Sequence, residues 1–521
     1  MSTPNLNEKV YLSDSKKTDH IEDKQDGSEI SSIDEEDALA NYDHSFEWTD
    51  KEEDAVRRKI DLRLMSFVLL MTFVLNMDRT NISNAISDNL AADLGFTNDG
   101  VNTATLVYSF VFTLFTLPST PMAKKLGAHI WIPFLMSSWA IVTWAHTFIY
   151  DFKGFMCIRV FIAVTEAGFI PACLLYLSLW YKTTELATRL SWFWGIQAFA
   201  SAFSGLISSG IFKMHGIAGL EGWKWLFLLD GIGTQIVGFV AFFYLPGSPY
   251  KTAGLLRGKG WFDERQAKIA YTRIVRDDLT KKEHNKTLKL EDVKLVVVDT
   301  KIWTHLLITF TVIMTTTPIQ GYLPTMIKQS GFNVTEANLL SAPSYLIGLV
   351  ISIFIARSSD KRGNVALHAL IGTVWSLTGF LLLALLPDGT GRWSLYGAAL
   401  FTASAPSAHG MEIAWMASNI APLGKRSFAL GCVIGAANIC GVPGSQIYRV
   451  ADSPRYHHGN FINSGVHIAN IILLIVQRTR YAWLNRTRAR KWDSMTIEER
   501  KIYNKTTKDI GSNRLDFKFR L

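Results

Sequence analysis

Apolar windows of about twenty residues recur along this chain, and they restrict its fold more than any other feature. A helix needs about 20 such residues to cross about 30 Å of hydrocarbon. Candidate spans fall near 62–86, 101–123, 130–149, 155–180, 190–212 and 224–245, then near 303–327, 338–357, 366–386, 393–417, 428–449 and 461–484. Inside a bilayer the backbone must satisfy its own hydrogen bonds, which favours helices. The expected fold is therefore an all-α membrane protein with twelve transmembrane helices in two six-helix halves. Gln477, Arg478 and Arg480 interrupt the last window, close enough to its end for the arginines to snorkel to the headgroups.

Charge between the windows sets an orientation. Arg57, Arg58, Lys59 and Arg63 precede the first span, Lys124 and Lys125 follow the second, and Lys182 and Arg189 lie between the fourth and fifth. Thirteen Lys and Arg crowd residues 247–302, whereas DNLAADLGFTND (88–99) carries only acids. The positive-inside rule then puts both termini in the cytosol and the sequon Asn333-Val334-Thr335 on the outer side, where it is open to glycosylation. Residues 1–54 hold seventeen acids against five bases. The expected division is a disordered acidic cytosolic tail over 1–56, a six-helix half over 57–246, a central cytosolic loop over 247–301, a second half over 302–485 and a basic cytosolic tail over 486–521. An amphipathic helix is expected at 261–278 in the loop. The tail reads as regulatory through its Ser and Thr, and it is too polar for a cleaved signal peptide. The formal net charge of +8 forms no basic stripe interleaved with aromatics, so nucleic acid is not an expected partner. The four cysteines fall inside spans without metal-site spacing, and neither metal nor cofactor is expected. GLLRGKG (254–260) is one residue short of a phosphate loop and lacks the following Ser or Thr, and no hydrolase motif is present, so an enzyme is not expected.

Charged side chains inside spans are costly and need a reason. Span 1 holds Asp78 and Arg79; span 4, in CIRVFIAVTEAGFIP (157–171), holds Arg159 and Glu166. Seven residues make about two turns, so Arg159 and Glu166 share a helix face roughly 10 Å apart along the axis. Gln197 of span 5 falls near the depth of Glu166. One reading is two ion pairs that pin helices together. The other is an anion site with a proton switch: guanidinium groups match carboxylate, sulfonate or phosphate oxygens, and an acid displaced from them in a dry setting takes a proton. Asp78 and Glu166 are then the proton-coupling residues, and Arg79 and Arg159 bind substrate with Gln197. Asp230, His409 and Glu412 are further intramembrane candidates, for a second proton relay, a substrate contact or polar packing. Asp230 as a structural residue would bond nearby backbone or Trp N–H groups. Gln320, Tyr345 and Asn438 are candidates for the other wall of a cavity. Two six-helix units with matched basic hairpins, AKKLG (123–127) and SDKRG (359–363), suggest a duplicated transporter with its site where the halves meet.

The stretches DRTNISNA, RVFIAVTEAGFIP, LSLWYKTTELATRLSWFWG, GLEGWKWLFLLDG with YLPGSP, SGFNVTEANLLSAPSY and GSQIYRVADSPRYHHGN resemble the anion:cation symporter group of the major facilitator superfamily, in its fungal allantoate-permease branch. The resemblance runs from 47 to 521, and the end segments are most similar to a permease for organosulfur anions. It implies the major facilitator fold and proton-driven import of a small organic anion, of allantoate or nicotinate type or an organosulfur compound. By position it gives Asp78 and Glu166 the protons, and Arg79, Arg159 and Gln197 the substrate. A tyrosine of relatives on span 2 is Phe112 here, with Tyr108 one turn earlier as a further substrate-binding candidate; the span 4 glycine is Ala163, and the hairpin acid after span 2 is missing. The expected partners are the anion, protons and a lipid bilayer, with the chain a monomer in a plasma membrane. The alternatives are a facilitator or antiporter in an internal membrane such as the endoplasmic reticulum or vacuole, or a non-transporting nutrient sensor.

Overall fold

A computed structural model describes residues 46–277, 290–387, 389–406, 409–421, 423–507 and 511–521. The expected disordered tail therefore lies outside the described residues up to 45. Thr49 opens the ordered chain: its hydroxyl accepts from Glu52 N, and Glu52 returns a bond to Thr49 N at 2.9 Å. That reciprocal cap starts α1 (Asp50–Ile60), which continues through a wide turn at Asp61–Met65 into α2 (Ser66–Ser87). There follow α3 (Asn98–Leu126), α4 (Ala128–Trp144), α5 (Phe152–Glu166), α6 (Phe169–Ser178), α7 (Thr183–Ile211) and α8 (Gly222–Tyr244). The central loop carries α9 (Glu264–Asp277) and α10 (Leu290–Val298). After it come α11 (Thr300–Gln329), α12 (Val334–Arg362), α13 (Val365–Leu385), α14 (Arg392–Ala403), α15 (His409–Ser418), α16 (Leu423–Ile439), α17 (His457–Asp493) and α18 (Ile497–Thr506).

Among the described residues, nine helices are long and apolar enough to cross a membrane. Three further expected spans are occupied by α3, by the α14–α15 pair and by α16. The weakest expected span forms as α17 because its polar residues find partners: Gln477 donates to Lys301 O at 3.1 Å and Arg480 to the Thr300 hydroxyl at 2.6 Å.

Proline and glycine set the irregular points. Pro171 lacks the N–H that Ala167 O would accept in a continuous helix, and the chain breaks between α5 and α6. The Thr116 hydroxyl of α3 fills the vacant place, donating to Ala167 O at 3.2 Å. Gly168 at the break packs so closely on Ser119 that a Cβ there would overlap its hydroxyl. Pro406 stands in the matching break between α14 and α15.

Each half has its own brace on the side of the basic loops. The amphipathic α9 lies against the first half, where Ile269 and Ala270 join Trp180, Val56 and Ile60 in one apolar cluster. Arg273, fully buried, donates to both Glu185 oxygens at 3.0 and 3.2 Å and to Trp180 O at 2.9 Å. Arg189 grips Asp61 through two bonds of 3.0 and 2.6 Å. The second half is braced by the 511–521 segment. There Val365 N donates to Leu521 O at 2.8 Å, Arg520 N donates to Asn419 at 2.7 Å, and Phe519 stacks on Tyr481 at 4.6 Å.

Candidate functional site

Glu166 ends α5 at the break. It is 4% exposed, and its two oxygens accept from two other helices. Arg79 of α2 donates from Nε to Oε1. Tyr108 of α3 donates to Oε2 at 2.9 Å. Arg159 lies with its guanidinium 4.5 Å from the centre of the Tyr108 ring, and that of Arg79 lies 5.4 Å from the centre of Phe112. One carboxylate thus sits among two guanidinium groups and two aromatic faces. Arg159 Nε is buried and has no hydrogen-bond partner among the described residues. The Arg79 side chain is 30% exposed.

Asp78 turns elsewhere. Successive residues on a helix point about 100° apart, so Asp78 and Arg79 serve different neighbours. Asp78 accepts from the Thr143 hydroxyl of α4 at 2.8 Å and lies beside Asp230 of α8. Asp230 Oδ2 is buried without a donor. The nearby indoles go elsewhere: Trp223 donates to Asp93 at 2.9 Å and Trp225 to Ile217 O at 3.1 Å. The structure therefore places the expected residues in two adjoining groups: Glu166 with both arginines and Tyr108, and Asp78 with Asp230. Gln197 is exposed on α7, and no hydrogen bond among the described residues ties it to either group. A polar seam joins α2 to α7 instead: Asn84 donates to Ser204 and Ser208 at 2.8 Å each, Ser204 donates to Asn81 at 3.0 Å, and Thr80 meets Ser201 at 3.1 Å. Its signal was the recurrence of serine every three or four residues at 201, 204 and 208.

The candidates of the second half are not gathered in this way. Gln320 is exposed on α11, Tyr345 is half-buried against an apolar cluster, and Asn438 donates to Ile434 O of its own helix at 2.9 Å. Glu412 is 2% exposed, and among the described residues neither of its oxygens is hydrogen-bonded and the buried His409 Nδ1 has no partner. No cluster of three metal-ligating side chains occurs among the described residues.

At the end that carries the acidic 88–99 loop, hydrogen bonds cross between the halves. Tyr322 donates to Asn102 Oδ1 at 2.6 Å, and Asn102 donates to Tyr448 O at 2.6 Å. Lys328 reaches Ser87 O at 2.7 Å and Asn89 Oδ1 at 2.8 Å, while Asn338 donates to the Ser87 hydroxyl at 2.8 Å. Gly205 of α7 permits the close approach of α12, since a Cβ there would stand 2.8 Å from Asn338 O. Asp88, beside this latch and beyond the end of α2, has its carboxyl pushed up to about 6, chiefly by burial and also by Asp93.

Known proteins share this architecture. An uncharacterized transporter of Saccharomyces cerevisiae is 29% identical over 485 residues, covering 92% of this chain and 90% of that protein. The major facilitator-type transporter hxnP of Emericella nidulans is 29% identical over 405 residues, covering 77% of this chain and 80% of that one. Among solved structures, a bacterial homolog of the human lysosomal transporter Spinster, inward-facing and unoccupied, superposes with a TM-score of 0.59 at 14% identity, over 82% of this chain and 96% of its own. The xylose transporter XylE of E. coli, partially occluded and inward open, gives 0.59 at 12% identity over 79% and 98%. Residues 68–445 match the Major Facilitator Superfamily. The chain belongs to that superfamily and is a multi-pass membrane transporter, not an enzyme.

Proposed function

We propose that the protein is a proton-coupled symporter that imports a small organic anion, a carboxylate or sulfonate, by alternating access across a fungal plasma membrane. In this reading α3, the α14–α15 pair and α16 complete twelve spans, the acidic-loop end faces outward and both termini are cytosolic. The observation that carries it is the engagement of Arg79 by Glu166 with Arg159 alongside. A guanidinium fork donates to carboxylate or sulfonate oxygens as readily as it donates to Glu166. An arriving anion takes over Arg79 and meets the free Nε of Arg159. Glu166, left in a dry site without its cation, then takes a proton. Proton and anion each strengthen the other's binding, and that reciprocity is what symport requires. Asp78, held by the Thr143 hydroxyl, serves as a second proton site in this reading.

Uptake of labelled allantoate, nicotinate and taurine, with and without an imposed proton gradient, tests the reading. At least one is accumulated by the wild type only under the gradient. Arg79→Ala and Arg159→Ala abolish accumulation while still reaching the membrane. Wild-type uptake by either variant refutes the clamp.

A further inference from the structure

The two halves share a device. Phe152–Ser178 breaks after Glu166, and the chain from Arg392 to Ser418, equal in length, breaks between α14 and α15 at the matching place. Interrupted helices in corresponding positions of a transporter's halves mark ion and substrate sites. A buried acid stands beside each break: Glu166 just before the first, Glu412 in the first turn after the second. Counting residues puts Glu412 about 9 Å nearer the basic-loop end than the position that matches Glu166.

Their surroundings differ. Glu166 has Arg79 and Tyr108, whereas neither oxygen of Glu412 meets a donor among the described residues. The titratable groups on the helices packed against α15 are engaged elsewhere or carry no charge. On α11, Lys301 pairs with Asp299, His305 meets Tyr481 at 3.0 Å, and Tyr322 and Lys328 belong to the latch. On α13, His368 contacts Asn364 O and Ser358. On α16, Lys425 pairs with Asp299, Arg426 donates to Ile420 O, and Cys432 is a free thiol. The 511–521 segment meets α15 through the Arg520 carbonyl, which accepts from Trp415 and Asn419, and Tyr481 of α17, against Trp415, bonds His305. On α15 itself there is His409. Among the described residues an ionised Glu412 would have neither counter-charge nor hydrogen bond, which costs several kcal/mol. It is therefore held as the neutral acid in this conformation. The first-turn amides of α15 give it a route to ionisation once water enters the break, because a helix N-terminus favours negative charge.

We infer that Glu412 is a further proton-carrying carboxyl of the transport cycle, placed in the half that the arginine clamp does not occupy. It gives its proton to water when its site is hydrated, leaving a carboxylate, and takes one back from water on the other side; no other bond changes. Its transport role rests on the proton-coupled reading above, but its protonation is testable without it.

The experiment is difference infrared spectroscopy of the full-length protein in liposomes, read at the carbonyl stretch of protonated carboxylic acids. Glu412→Gln, isosteric with the neutral acid, loses the intensity of one carboxyl at neutral pH, while Glu166→Gln retains the Glu412 band. In the wild type that band disappears reversibly as the buffer is made alkaline. An unchanged spectrum in Glu412→Gln overturns the inference, and so does a band that persists at every pH at which the protein stays folded, since such an acid never gives up its proton. For whichever of allantoate, nicotinate or taurine the wild type accumulates, Glu412→Gln moves one proton fewer per anion. An unchanged ratio also overturns the proposal. If none is accumulated, the clamp reading fails and the infrared result still decides Glu412.

Discussion

Arg79 and Glu166 show how far single residues could be read in advance. An acid or base inside an apolar window signals a cost that something must offset, and four of the flagged residues, Arg79, Glu166, Tyr108 and Arg159, do converge. What composition could not supply was direction. Asp78 and Arg79 are neighbours in sequence, yet the helical turn sends Asp78 to Thr143 and Asp230. Thr143 was unreadable because a threonine in an apolar helix normally bonds its own backbone, as Thr72 does to Val68 O. Tyr108 offers a sharp test at this scale. Its hydroxyl donates to Glu166 Oε2 at 2.9 Å. A hydrogen bond to a charged group contributes about 1.5 kcal/mol or more, equivalent to about a tenfold change in an equilibrium constant. Tyr108→Phe should therefore loosen the hold on Glu166 and lower gradient-driven uptake about tenfold while the protein still reaches the membrane. Uptake at the wild-type level shows that Tyr108 does not govern the switch.

Elements were legible where periodicity and length spoke and illegible where partners decided. The amphipathic α9 was expected, but its docking through the buried Arg273 was not, because Arg273 looks like any other base of the loop. The break at Pro171 could be guessed; its completion by the Thr116 hydroxyl could not. The latch was invisible for the same reason, since Asn102, Tyr322 and Lys328 lie far apart in sequence from the atoms they meet. Asp88 packs against Gly222 of its own half, and its carboxyl sits at about 6, raised chiefly by burial, against about 4 for an aspartate in water. The folded packing therefore binds the proton more tightly than the unfolded chain, so its contribution to stability is fullest below about pH 4 and fades as pH rises through about 6. Asp88→Asn should remove that part of the pH dependence of the protein's thermal stability; equal pH dependence in the variant contradicts the assignment.

For the whole molecule, the contacts sort by half. The 511–521 segment and the Asp299–Lys425 pair brace the second half, while α1 and α9 brace the first. The hydrogen bonds that join the halves cluster at the acidic-loop end. Two braced bodies joined at one end suit a rocking motion about a shared site. Ser87 and Asn338 touch across that joint at 2.8 Å. In a background lacking the four native cysteines, Ser87→Cys with Asn338→Cys should stop uptake when oxidised and recover it on reduction; unimpaired uptake by the cross-linked protein rules out rocking at this joint. The fold was open to sequence reading because hydrocarbon imposes helix lengths, whereas the site depended on which faces those helices turn to one another. The central claim is that an anion displaces Glu166 from Arg79 and that a proton accompanies the exchange. Counterflow and gradient-driven uptake, compared in Glu166→Gln and wild-type proteoliposomes, test it most directly. The account predicts that the variant exchanges anion across the membrane but no longer concentrates it under a proton gradient; concentration to the wild-type level contradicts it.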